Sequence, residues 1–340
     1  MKLLNNVPNG WCFAVMLLTV AAVFVCSGTG CTRQEQAGPP EKITIAYSSI
    51  PHTALFHIAF AKGFFSAEGL DVTAQPHEFG KLALNSLLEG KADLATPADT
   101  PIMFAVTGGK SIYVIAMIAT SNKATAIIAR KDRGIIVPSD LRGKRIGIVR
   151  RTTAEFFMDS FLSTRGIDRK EVKVVDLTPN EMPDALVKGR VDAVSTWNPV
   201  LKNAQKALGD NAIVFYDENI YSDIFCIAAW QEFVKKHPEA VRKVLRALIR
   251  AEAFMKQNHE ESRRLIAEFI KVDEPILDEI WNSFDFRVTL DQTLVVSLED
   301  QTRWALRNKL IDGMAMPNYL DFIYFDGLNS VKPEAVKIIR

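Results

Sequence analysis

The side chains able to do chemistry are few, and they gather in loops that follow strand-like segments. Ser48, Ser49 and His52 follow the alternating residues 43–47. Asp99 and Thr100 follow a short apolar run at 93–96, and Ser121 comes just after the β-rich 112–119. Thr152, Thr153 and Glu155 open a helical pattern, Trp197 and Asn198 follow a strand at 192–195, and Asp223 precedes the apolar 224–230. Hydroxyls, carboxylates, one imidazole, one indole and the unpaired N–H groups of a helix start suit the holding of a small polar molecule. They do not suit its turnover. No Ser, His and Asp set sits on a nucleophile-elbow turn, no GxxxxGK[ST] loop is present, and the only G-x-G lies at 28–30. His52, His57 and His77 with Glu78 are metal-ligand types, but the spacing puts His52 and His57 on different elements, so neither a metal nor a cofactor is expected.

These loops need elements to carry them, and a repeated phrase supplies the plan. Leu87-Leu88-Glu89-Gly90-Lys91-Ala92-Asp93 returns 99 residues later as Leu186-Val187-Lys188-Gly189-Arg190-Val191-Asp192. Each copy reads as a helix end, a glycine that closes it, and an Asp that opens a short strand. Around the first copy the pattern is strand 43–47, helix 54–62, strand 70–73, helix 81–89, strand 93–96. Around the second it is strand 143–149, helix 154–165, strand 172–177, a capping box at Thr178-Pro179-Asn180-Glu181 opening a helix, and strand 192–195. Both are β-α-β-α-β units and imply parallel strands. The stretches 112–119, 124–129 and 224–230 suit strands that cross between two lobes. From residue 231 the pattern is helical, with Val241, Val244, Leu245 and Leu248 on one face. The expected fold is α/β with two lobes, each a mixed sheet flanked by helices. Lobe 1 is built from 42–121 and 226–340, lobe 2 from 122–225, and a helical C-terminal extension packs on lobe 1.

The N-terminus sets the compartment. Lys2, an apolar run at 11–25 and small residues at 27–30 read as a signal peptide over 1–30, the run being shorter than the roughly 20 residues a span needs. Gly28-Thr29-Gly30-Cys31 resembles the lipobox of bacterial lipoproteins, with Gly28 where Leu is usual. The expectation is lipidation at Cys31, a tether at 31–41, and a place in the periplasm or on the outer face of the cell membrane. Cys226, inside an apolar run, is then the single remaining thiol and reads as core. Loss of residues 1–30 removes one Lys and no acid, leaving 40 basic against 40 acidic side chains, a balance that points to no nucleic-acid partner. A monomer is expected.

The phrases at 56–65 (FHIAFAKGFF), 68–72 (EGLDV) and 93–96 (DLAT) are similar to those of solute-binding proteins of the nitrate/sulfonate/taurine ABC importers. So are 140–147 (DLRGKRIG), 152–157 (TTAEFF), 191–193 (VDA), Trp197-x-Pro199 and 237–241 (HPEAV). The resemblance spans roughly 42–290. It implies the type II periplasmic-binding fold, an interlobe cleft that closes on a small solute, and delivery to a membrane permease. It also touches enzymes of the same fold that act on pyrimidine-type thiamine precursors, and a sensing module for a separate receptor stays open as well. For the solute, a capping box Thr152-x-x-Glu155 would place a carboxylate at the helix start. That disfavours a purely anionic ligand such as nitrate and leaves an aminosulfonate or a neutral heterocycle. Its anionic end would sit on Thr152–Thr153, and its other end near Glu155, Asp99 and Trp197. Asp99 is also expected to cap the helix that starts at Pro101.

Overall fold

A computed structural model describes residues 39–313 and 315–339; the signal peptide, Cys31 and the tether as far as residue 38 lie outside the described residues. Among the described residues, ten strands form two five-stranded sheets. The first has the order β2–β1–β3–β10–β4 and the second β7–β6–β8–β5–β9. The strands are β1 Glu41–Ser48, β2 Leu70–His77, β3 Leu94–Ala95, β4 Ile112–Ser121, β5 Thr125–Arg130, β6 Arg145–Ile148, β7 Lys173–Asp176, β8 Ala193–Trp197, β9 Ala212–Phe215 and β10 Asp223–Trp230. The two sheets share one plan. Three parallel strands (β2, β1, β3 and β7, β6, β8) come from the β-α-β-α-β unit. The fourth, antiparallel, is the first strand laid down after the chain crosses over: β5 on entry to lobe 2 and β10 on return.

The crossings are residues 122–124 and 216–222. Strand pairing in the first sheet resumes at Asp223, opposite Ser121, three residues before the expected boundary at 226. Asp223, Ile224 and Phe225 therefore pair within the first sheet.

The repeated phrase has one structural job in both lobes. Gly90 and Gly189 take φ of +72° and +69°, the left-handed turn that ends a helix without a Cβ penalty. Asp93 then accepts from Thr44 N (2.7 Å) and Asp192 from Arg145 N (2.9 Å), while each Asp N–H donates back to the same residue's carbonyl. Each Asp thus closes a ring on its neighbouring central strand and sets the register of β3 on β1 and of β8 on β6.

Thirteen helices flank the sheets among the described residues. In lobe 1 these are α1 Ala54–Ala61, α2 Phe64–Ala67, α3 Gly80–Leu88 and α4 Asp99–Thr107; in lobe 2, α5 Thr153–Thr164, α6 Met182–Val187 and α7 Val200–Leu208. The extension comprises α8 Gln231–Lys236, α9 Pro238–Gln257, α10 His259–Ile270, α11 Glu274–Trp281, α12 Gln292–Arg307 and α13 Phe325–Val331. Val241, Val244, Leu245 and Leu248 of α9 are fully buried where that helix packs on α1 and α2, each large side chain contributing about 1.5–3 kcal/mol by burial. The extension is not purely helical. Residues 285–289 pair with β4 through Asp285↔Thr120 and Thr289↔Met117, which covers an otherwise open sheet edge. Cys226 is buried, as its apolar run predicts. No helix among the described residues is long and apolar enough to cross a membrane.

Candidate functional site

The carboxyl ends of the parallel strands in both lobes face one narrow cleft, whose lining includes His52, Lys81, Thr152, Trp197 and Asp223. On the lobe 2 side the turn from β6 into α5 supplies it. Arg151 adopts φ +58°, an uncommon left-handed conformation for a side-chain-bearing residue. Glu155 holds it there, its Oε2 accepting from Arg151 N at 2.7 Å. Thr152 Oγ1 donates to Val149 O at 2.7 Å. The expected Thr152/Glu155 capping box is therefore not formed. The threonine hydroxyl is drawn back to Val149, and the glutamate reaches one residue further, while its Oε1 accepts from Arg169 at 2.6 Å. Glu155 is 1% exposed, paired to Arg169, and does not line the cleft. Among the described residues, the N–H groups of Thr152, Thr153 and Ala154 find no acceptor, and Thr152 and Thr153 do line the cleft. They are the positive end of a 12-residue helix, a ready site for an anion.

Lobe 1 presents the opposite character. Asp223, at the start of β10, accepts from Thr125 Oγ1 through Oδ2 at 2.7 Å, while its buried Oδ1 has no partner. His52 stands 3.6 Å from that carboxylate, with both ring nitrogens buried and unpaired and its ring 4.3 Å from Phe225. Unpaired buried polar atoms are costly, so Asp223 Oδ1 wants a hydrogen-bond donor. Trp197 of β8 closes the remaining wall, its ring 5.7 Å from Phe79 across the lobes. Lys81 lines the same space and donates to Arg150 O of the other lobe at 2.9 Å, burial holding its ammonium below the usual lysine range.

Five of the sequence-selected residues thus share the cleft: His52, Thr152, Thr153, Trp197 and Asp223. The others are turned to structural work. Ser48 bonds to Thr96 through both its N–H and its hydroxyl. Ser49 donates its N–H to His77 O, and Ser121 Oγ accepts from Lys123 N in the first crossing. Asn198 N donates to Ala124 O at the same crossing. Asp99 is not a cap; Ala98 holds that position and Asp99 is the first residue of α4. Its buried carboxylate instead accepts from Tyr221 (2.5 Å), Ser297 (2.7 Å), Gln301 (2.6 Å) and Thr100 N (2.9 Å), tying α4 to the return crossing and to α12. The Thr100 hydroxyl is buried beside it without a hydrogen-bond partner. His57 bonds Thr53 in the lobe 1 core, where burial lowers its pKa to about 3.

Sequence reasoning missed Phe79, Gly80 and Lys81. Phe79 caps and Gly80 and Lys81 open α3, just after β2, which runs on to His77 instead of ending at 73. Gly80 has no room for a side chain, since a Cβ there would lie 2.9 Å from Ala98 N. The available signal was Phe-Gly-Lys directly after an extended stretch, in the position each other cleft loop holds after its own strand.

A family model described as NMT1/THI5 like matches residues 50–262, more than half of the chain. The chain belongs to the NMT1/THI5-like family. A Bacillus subtilis (strain 168) putative aliphatic sulfonates-binding protein is 22% identical over 302 residues, covering 87% of this chain and 91% of the relative. The taurine-binding periplasmic protein of Escherichia coli (strain K12) is 24% identical over 217 residues, 62% of this chain and 65% of the relative. The crystal structure of the periplasmic aliphatic sulphonate binding protein SsuA from Escherichia coli superposes with a TM-score of 0.72 at 18% identity, over 85% of this chain and 98% of that one. The fold of this NMT1/THI5-like chain is accordingly that of periplasmic binding proteins, with two mixed sheets flanked by helices.

Proposed function

We propose that this protein is the extracytoplasmic solute-binding component of an ABC importer. It captures a small organic solute between its lobes and hands it to a membrane permease, without turning it over. The tether and Cys31 would hold it at the outer face of the membrane as a lipid-anchored monomer. Its family membership and its likeness to sulfonate- and taurine-binding proteins support this reading.

One observation carries the choice of solute. Unpaired N–H groups at the start of α5 share the cleft with the unpartnered Asp223 Oδ1, beside His52. A sulfonate suits the first end and an ammonium or other donor suits the second. The zwitterionic solute expected from the sequence is retained, but its cationic end moves from Glu155 and Asp99 to Asp223. The rings of Phe79, Trp197 and Phe225 favour a second reading, an amino-substituted heterocycle stacked between them.

Calorimetry with taurine, ethanesulfonate and an aminopyrimidine separates these cases. Asp223→Asn should weaken taurine binding about ten- to a hundredfold, the value of a hydrogen bond to a charged group, and spare ethanesulfonate. Unchanged taurine affinity in Asp223→Asn would show that the amine lies elsewhere.

A further inference from the structure

We propose that Trp304, on the C-terminal extension, is a positioning residue that latches the ligand-holding helix α5 in the closed state. The cleft uses only one side of that helix. Glu155 and Asp159, four residues apart, form a separate stripe along it, and Arg151 lies in the turn just before the helix. Segments of lobe 1 and its extension grip this stripe. Trp304 Nε1 donates to Asp159 Oδ2 at 2.8 Å, and Arg151 Nη2 donates to Leu310 O at 3.1 Å. The Arg151 guanidinium also lies over the Phe104 ring at 4.8 Å. The Trp304 ring meets Phe156 of α5 edge-on at 5.2 Å and is itself 3% exposed.

Trp304 is firmly part of lobe 1. Its helix α12 packs on α4, and Ser297 and Gln301 bond Asp99 there. Asp159 is equally firmly part of lobe 2, where Arg169 pairs with it and with Glu155. The indole N–H is thus one of the cross-lobe hydrogen bonds that opening must break, with those of Lys81 to Arg150 O and Arg151 to Leu310 O, whereas the Arg169 pairs travel with lobe 2. Because α5 carries the anion-binding N–H groups at its first turn, holding Asp159 two turns along fixes where those groups sit relative to lobe 1. The extension, which adds no residue to the cleft wall, then sets how long the cleft stays shut.

The test uses the mature protein in two arms, and only the second rests on the solute-binding reading above. In the first, small-angle scattering compares ligand-free wild type with Trp304→Phe, which keeps the ring and drops the donor. The variant should show the larger radius of gyration at unchanged circular dichroism. In the second, stopped-flow dissociation of taurine should be about tenfold faster in Trp304→Phe with association no slower. Asp159→Asn, which keeps an acceptor oxygen for the indole, should stay near wild type in both arms. If Trp304→Phe does not fold, Asp159→Ala takes its place. Equal radii of gyration in the first arm overturn the latch, as does an Asp159→Asn variant as open as Trp304→Phe. If taurine does not bind at all, the solute reading fails while the scattering arm still decides the latch.

Discussion

Replacing Arg169 with methionine should lower stability by about 3–5 kcal/mol, because it strands two buried carboxylates. Glu155 is 1% exposed and Asp159 6%, and the Arg169 guanidinium serves both at close range, with the half-exposed Arg150 farther off, 3.9 Å from Glu155. The Arg151 N–H and the Trp304 indole supply one further hydrogen bond to each, which is too little to hold two ions out of water. Burial already lifts Asp159 to a pKa of about 6, against the pull of Arg169, so loss of the cation should drive it to the neutral form near neutral pH. The cost of Arg169→Met should therefore shrink as pH falls and protonation relieves the stranded charge. Exposed pairs such as Lys188–Asp184 are worth under about 1 kcal/mol and provide the control. Urea unfolding of both variants measures the contrast. A loss below about 1 kcal/mol for Arg169→Met would mean that the cluster is not held as buried charge.

The second large effect is a dependence on pH carried by Asp99. Burial raises its pKa to about 7, in spite of hydrogen bonds from Tyr221, Ser297 and Gln301 that favour the charged form. At low pH the carboxyl is protonated in folded and unfolded chains alike. As pH rises from about 4 to about 7 the unfolded chain releases this proton first, so stability falls across that window and levels off above it. With about 1.36 kcal/mol per pKa unit, the fall attributable to this one group is on the order of 4 kcal/mol. Asp159, also raised, adds in the same direction, while Asp192 and Glu181, whose pKa values are lowered, act in the opposite sense at lower pH. Asp99→Asn isolates the term, since an amide cannot ionise. The stability of wild type relative to that variant should decline steadily over this window in urea titrations. A difference that does not vary with pH would mean that Asp99 ionises normally inside the fold.

Much of the architecture is legible in the chain because it rests on local chemistry. The glycines at 90 and 189, the aspartates that follow them and the Thr178–Glu181 capping box do in the structure what their types predict. The cleft was half legible. His52, Thr152, Thr153, Trp197 and Asp223 sit at strand ends, and strand ends face the cleft. Glu155 and Asp99 were misplaced for one reason. Sequence reasoning gave each a capping task within its own first turn, but long-range partners won. Arg169 lies 14 residues from Glu155, and Ser297 and Gln301 lie about 200 residues from Asp99. Lys81 escaped because β2 is an edge strand, where Pro76 is tolerated and the extended run continues past the point at which the residue pattern weakens.

The central claim is that the cleft holds a small solute by an anionic end on α5 and a donor end on Asp223. A crystal structure of the protein with taurine, or with whatever aminosulfonate calorimetry ranks first, tests it most directly. The sulfonate oxygens should lie within hydrogen-bond distance of the Thr152, Thr153 and Ala154 N–H groups, and the ammonium against Asp223 Oδ1 with Trp197 alongside. A sulfonate bound away from the start of α5, or an ammonium directed at Glu155 or Asp99, would contradict it.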